Sequence, residues 1–228
     1  MILLDKNLIK VSAHQPNFIP WVGFWHKLLH SNVFVITSGM QYVRRGFSNR
    51  VIMGDNNSWA TVPVKADFIA FNKIKITDLT AVRHIGKRIL HWSKQKKYLF
   101  SYRLEPIIER LINVEDKSLS SLNVDLIKII LKILDHNNTE IIVDNRNWKV
   151  ESKLDIILSL LKENGDLFLS GPTAEKYLHK KNSTELKKKI VFQKLIGNIK
   201  NETILHAIAF YENPVDYIIN SAEWKYME

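Results

Sequence analysis

His14 and Gln15 close a short β-type run, Leu8 to Ser12, and Pro16 and Pro20 follow at once. An imidazole with its ordinary pKa of about 6.5 gives or takes a proton near neutrality. The Gln15 carboxamide both donates and accepts, so it can orient a substrate. The prolines lock φ and stiffen the turn, which suits groups that must hold one geometry. His14 and Gln15 are therefore the expected catalytic pair, with Asn17, Trp21 and Lys27 beside them as substrate contacts. A helix opening near Trp21 would add unpaired N–H groups and a positive dipole end, a setting suited to phosphate.

Two further segments carry candidate chemistry. Gln41-Tyr42-Val43-Arg44-Arg45-Gly46-Phe47-Ser48-Asn49-Arg50 concentrates hydrogen-bond donors. Arginine forks match phosphate and carboxylate, so Gln41, Tyr42, Arg45, Asn49 and Arg50 are expected to bind substrate; a solvated basic loop is the plain alternative. Ser170 and Gly171 end another β-type run, Asp166 to Leu169, where backbone N–H groups can receive an anion. An ordinary turn explains that pair nearly as well. Neither a Walker loop nor the dinucleotide glycine fingerprint occurs, and no motif names a cofactor. His26 and His30 sit four apart, but no acidic partner follows in the usual place, so no metal site is expected.

These residues need a frame, and the hydrophobic pattern supplies one. Strand, turn, helix (Trp21 to Leu29) and the wholly apolar strand Val33 to Ile36 form a βαβ opening. Arg50 to Met53 and Trp59 to Val64, joined by Gly54-Asp55-Asn56-Asn57, read as a hairpin. Lys73 to Ile76 is a further strand candidate. A mainly helical stretch covers about 82–136, and Ser120 to Leu126 lead into an amphipathic helix ending near Leu134. Alternation then returns: strand Glu140 to Val143, helix Lys153 to Lys162, strand Asp166 to Leu169, a short helix around Ala174 to Leu178, and a last strand at Lys189 to Phe192. The expected fold is a single α/β domain over 1–228. It has a mostly parallel, Rossmann-like sheet between helices, a hairpin insertion, and a helical segment that could form a subdomain. Ligands of such sheets bind beyond the carboxyl ends of the strands, which nominates His14, Thr37 and Ser38, Asn145, and Ser170-Gly171 for one edge.

Composition limits the function classes. The 228 residues contain no cysteine, which removes disulfides, thiol catalysis and thiolate zinc sites. Lys and Arg exceed Asp and Glu by 33 to 23, a net charge of +10. That charge favours anionic partners such as phosphorylated metabolites or nucleic acid, although free use of lysine on exposed helix faces explains it too. The runs Lys94 to Lys97 and Lys187 to Lys189 read best as solvated faces. No apolar run approaches the roughly 20 residues that span a bilayer, and the N-terminus lacks the order of a signal peptide, so a cytoplasmic protein is expected.

The order of these segments resembles the WbqC-like family of bacterial proteins. The matching residues are His14-Gln15-Pro16, Pro20-Trp21-Val22-Gly23 and Lys27, then Gln41-Tyr42, Asn49-Arg50 and Thr61-Val62-Pro63-Val64, and finally Asp166 to Pro172 with Tyr177-Leu178. Members usually look acidic just before the Gln-aromatic pair, where this chain has Ser38-Gly39-Met40. The resemblance implies a role in bacterial surface polysaccharide (O-antigen or capsule lipopolysaccharide) biosynthesis. It points to a transferase placing an acyl or aminoacyl group on a nucleotide-linked amino sugar, with a nucleotide sugar and an acyl donor as partners. The strand, His-bearing turn, helix and second strand also look like the HIGH-motif nucleotidylyltransferases, whose second histidine has no counterpart at Trp21 to Phe24. The alternative from charge alone is a non-catalytic binder of nucleic acid or another polyanion. The aromatics sit at core-like spacings rather than between the basic runs, which favours the enzyme.

Overall fold

A computed structural model describes residues 4–53, 58–65, 68–95, 97–148, 153–172, 174, 188–197 and 203–226. The expected turn at 54–57, the body of the helix expected around Ala174 to Leu178, and Lys96 and Lys187 lie outside them.

The chain opens with β1 (Lys10–His14), α1 (Val22–Leu29) and β2 (Val33–Thr37). A separate antiparallel hairpin follows, β3 (Arg50–Met53) with β4 (Ser58–Thr61). Three helices come next: α2 (Leu79–Ser93), α3 (Glu105–Ile112) and α4 (Leu119–Ile133). The sheet then resumes with β5 (Glu140–Asp144), α5 (Lys153–Asn164), β6 (Leu167–Ser170) and β7 (Ile190–Leu195). The described chain ends with α6 (Ile204–Phe210), α7 (Pro214–Ile219) and β8 (Ala222–Tyr226).

Six strands form one sheet in the order β5-β2-β1-β6-β7-β8. All neighbours are parallel except β8, which runs antiparallel to β7. Helices cover both faces, giving an α/β, Rossmann-like fold. From β1 the chain builds outward through β2 and β5, then returns to place β6, β7 and β8 on the other side. The point where the strand order reverses therefore lies between β1 and β6, where open α/β sheets leave a crevice.

Alternation along the strands sorts side chains between two cores. Phe34 and Ile36 of β2 pack toward α1 and the helical segment, whereas Val33 and Val35 pack toward α5. Along β1, Val11 joins the α5 side, so Ser12 and His14 face the other way. Ser12 Oγ lies 2.6 Å from Ser31 Oγ, and the His14 ring meets Phe24 of α1 edge-on at 5.2 Å. The buried cluster on the α1 side continues without a break into Ile89, Leu122 and Ile127 of α2 and α4. Both helices carry side-chain caps: Asp78 accepts from Thr80 and Ala81 N–H, and Ser118 accepts from Ser121 N–H.

Lys73 closes a 3-10 turn (Phe71–Lys73), and Lys75 and Ile76 then make isolated bridges (Lys75 to Ser118, Val64 to Ile76) rather than a strand. With Ile74 and Ile76 buried, the alternating pattern there reports contact with the core rather than ladder pairing. The sheet also does not end at β7, because the C-terminal β8 adds an antiparallel edge.

His26, on the inner face of α1, latches that helix to this edge. Its Nε2–H donates to the Ala222 carbonyl at 3.0 Å, and its Nδ1 accepts from Gln193 Nε2 at 3.0 Å. Gln193 also donates to the Gly23 carbonyl at 2.9 Å. Burial, reinforced by the charge of His30, lowers the His26 pKa to about 3 against the opposing bond to Ala222. The unfolded chain takes up this proton below about 6.5 and the folded chain only near 3. Stability from this group is therefore complete above pH 6.5 and is lost as pH falls toward 3, at up to about 1.4 kcal/mol per pH unit. In His26→Leu, the fall of urea-unfolding stability between pH 6 and 4 is expected to be shallower by about one proton. An unchanged slope would contradict the latch.

Candidate functional site

A cleft of about 810 Å³ opens at the carboxyl ends of β1 and β6. That volume is ample for a small-molecule ligand. His14 and Gln15 line it at the end of β1, Thr37 ends β2, and Ser170 ends β6 with Gly171 just after it. Asn17 and Trp21 from the proline turn, Lys27 from α1, and Gln41 and Tyr42 from the segment after β2 complete the expected residues found there.

The proline turn is held by bonds from three directions. Asn123 of α4, fully buried, donates one N–H to the Pro16 carbonyl and the other to the Ser48 carbonyl, both at 2.8 Å. Phe18 N–H donates to the Phe47 carbonyl at 3.0 Å, and the Trp25 indole donates to the Pro20 carbonyl at 3.0 Å. Between them Ile19 adopts φ 45°, a left-handed conformation costing a β-branched residue on the order of 1–3 kcal/mol. These clamps over-determine the turn and keep it in that state. Gly23 explains the spacing after Trp21: a Cβ there would lie 2.2 Å from the indole, so only glycine lets Trp21 fold back over the helix start. The indole then lies 6.3 Å from the Phe47 ring at 26°, an aromatic pair on the cleft wall.

His14 Nδ1 lies 2.9 Å from the Gln15 carbonyl. A carbonyl only accepts, so Nδ1 carries the hydrogen and Nε2 keeps its lone pair. Burial first, then the nearby charge of Lys27, lowers the His14 pKa to about 3, outweighing the bond to Gln15. The ring is neutral at physiological pH, a hydrogen-bond acceptor rather than the base of ordinary pKa that its residue type suggests. Lys27 Nζ donates to the Ala13 carbonyl at 2.8 Å and lies 5.8 Å from the Phe34 ring centre. Burial alone brings its pKa down to about 7. Gln15 spends its amide N–H on the Gln41 carbonyl at 2.6 Å, tying the two loops together. Tyr42 is buried against Phe71, and burial raises its phenol.

Arg45, Asn49 and Arg50 do not line the cleft. Asn49 Nδ2 donates to the Val62 carbonyl at 2.8 Å. Arg50 stacks 4.0 Å over Trp59, donates to the Gly46 carbonyl at 3.1 Å, and also bonds the carbonyl of Arg45, itself at φ 59°. These residues shape the loop from inside, and that loop presents Gly46, Phe47 and Ser48 to the cleft. Ser38 is buried under Ser120, whose hydroxyl donates to it at 3.0 Å. Asn145 borders a smaller neighbouring cleft with Asp144, Arg146 and Glu163. There Arg146 grips both carboxylates at 2.8 to 3.1 Å, pinning the end of β5 to the last turn of α5.

Sequence reasoning missed two groups. One is the apolar wall, Ile156, Ile157 and Leu160 of α5 with Phe168 of β6, whose spacing signals only burial. The other is Asn123, and a usable signal existed: a lone amide on the buried stripe Leu119, Leu122, Leu126, Ile127. Among the described residues no three His, Asp or Glu side chains converge as metal ligands. None of the described helices is long and apolar enough to cross a membrane.

Asn123→Leu leaves the Pro16 and Ser48 carbonyls buried and unpaired. The expected loss is about 1–3 kcal/mol for each, read by urea unfolding, and an unchanged stability would refute the clamp.

Comparison with known proteins places the fold and site in context. The chain is 25% identical over 183 residues to a Mycobacterium tuberculosis H37Rv protein named "Uncharacterized protein Rv1507c", the match covering 78% of each chain. No solved structure matches. The family model of the WbqC-like proteins matches residues 15–203, a span that begins at Gln15 and takes in Lys27, both cleft loops and Ser170-Gly171. With most of its length matched, the chain belongs to the WbqC-like protein family.

Proposed function

We propose that this protein is a transferase of bacterial surface polysaccharide assembly that places an acyl or aminoacyl group on the amine of a nucleotide-linked sugar. The observation that carries the reading is the composition of the cleft. A neutral imidazole and a buried amine sit at one side of a space of about 810 Å³, facing the apolar wall of Ile156, Ile157 and Phe168. The apolar wall suits an acyl donor, and the Trp21 and Phe47 rings suit a base or sugar ring. A net charge of +10 favours an anionic, phosphate-bearing acceptor. His14 Nε2 accepts a hydrogen bond from the acceptor amine and turns its lone pair toward the donor carbonyl, an orienting role worth far more than a single contact in rate. The polysaccharide setting comes from the family resemblance.

A thermal-shift series with nucleotide-linked amino sugars, the same sugars N-acetylated, and free nucleotides tests this. A free-amine sugar nucleotide at 100 times its Kd is expected to add about 2.7 kcal/mol of apparent stability. The same compound, given an acyl or aminoacyl donor, is expected to gain that group, at least about 100-fold more slowly with His14→Ala in a folded protein. No stabilisation by any sugar nucleotide, together with DNA or RNA binding that weakens steeply with salt, would replace this reading with the polyanion binder.

A further inference from the structure

Transfer of an acyl group to an amine needs a proton acceptor, and the cleft offers few. Among the described residues lining it there is no Asp or Glu. The titratable side chains there are His14 from β1, Lys27 from α1, Tyr42 from the segment after β2, and Lys153 from α5. His26 and His30, the other titratable groups of α1, turn away from the cleft toward Trp224. His14 is fixed in one tautomer by the Gln15 carbonyl. The Tyr42 ring is buried against Phe71. Lys153 is exposed, and Lys27 differs from all three. It is 4% exposed, its Nζ meets the Ala13 carbonyl and an aromatic ring, and no described carboxylate pairs with it. One hydrogen bond to Ala13 uses a single donor of this amine, and burying an amine that faces a ligand space without a described counter-ion costs more than that bond returns unless the amine serves the ligand.

We infer that Lys27 is the proton acceptor of the cleft, taking the proton that an acceptor amine sheds as it attacks the acyl carbonyl. The inference rests on the transferase reading. The acceptor nitrogen forms a bond to the carbonyl carbon, and the bond from that carbon to the leaving group breaks. The N–H proton passes to Lys27, turning its –NH₂ into –NH₃⁺, and then to the departing group, so that the enzyme ends as it began. Nothing is oxidised or reduced. Desolvation keeps the amine unprotonated near neutrality, with its pKa brought down to about 7, whereas His14 at about 3 is too weak a base for this step.

Two measurements decide it. Trace acetylation of the folded protein with acetic anhydride across pH 5 to 10, read by peptide mass spectrometry, reports the free-amine fraction of each lysine. Lys27 is expected to label with a midpoint near 7, about three and a half pH units below the ordinary value of a lysine. Labelling of Lys27 only alongside the surface lysines, or not at all, overturns the inference, since a base that serves a ligand must be open to a small anhydride. In the transfer assay, kcat/KM is expected to fall about tenfold per pH unit below 7 and to level off above it. Lys27→Met is expected to lose about 10²- to 10⁴-fold in rate and that acid limb, with ligand-induced thermal shift retained, while His14→Gln keeps the limb. Transfer by Lys27→Met at the wild-type rate refutes Lys27 alone. Absence of transfer by the wild-type protein with every amino sugar refutes the transferase reading itself.

Discussion

Between β1 and α1 runs a seam of hydrogen bonds on which the cleft depends. The Ser31 hydroxyl donates to the Lys27 carbonyl at 2.8 Å, so the Ser12 hydroxyl must donate to Ser31. Lys27 Nζ returns to the Ala13 carbonyl, and the His14 ring packs edge-on against Phe24. This seam presses an imidazole and an ammonium-forming side chain into one desolvated layer. Burial disfavours the charged form of each, and the charge of Lys27 further disfavours that of His14, so both move toward neutrality. The unusual chemistry follows from helix packing, because neither side chain would depart from its ordinary behaviour in water.

Polar clamps around the seam convert a strained loop into a rigid one. Ile19 holds a conformation that isolated chains avoid, and it persists because Asn123, Phe18 and Trp25 each fix a neighbouring peptide. Asn123 is the most economical of these, since one buried amide joins the proline turn to the Phe47-Ser48 loop. The same amide leaves its own Oδ1 without a partner, and this cost is tolerated in exchange for holding two loops at once. On the far side, Arg146 between Asp144 and Glu163 sets where α5 lies against β5, and hence where the apolar wall stands.

In this member of the WbqC-like family the cleft opens where β1 and β6 diverge. Glycines mark the closest approaches in that frame. A Cβ at Gly39 would lie 1.9 Å from the Arg146 carbonyl, so the loops after β2 and β5 can touch only with glycine there. That contact sits beside Ser38. In this chain the serine is buried and accepts from the Ser120 hydroxyl.

Much was legible in the sequence because local patterns carried it. Period-two and period-3.6 hydrophobicity marked β1, α1, β2, the hairpin, α4, β5, α5 and β6, and the strand-end rule brought His14, Thr37 and Ser170-Gly171 to one edge. The added β8 was not legible, because its alternation of Ala222, Trp224 and Tyr226 is shared by any half-buried segment. The arginine loop shows the same limit: donor-rich residues were placed correctly along the chain, yet Arg45, Asn49 and Arg50 turn to backbone carbonyls and a tryptophan instead of the cleft. The sequence by itself determined the fold class and the strand ends that meet at the cleft, with the residue types present there. Only the tertiary structure decided which of them face the cleft and which proton each one holds. Orientation and ionisation are set by burial and by partners distant in sequence, and at His14 and Lys27 the surrounding helix and strands, not the residue type, determine the charge.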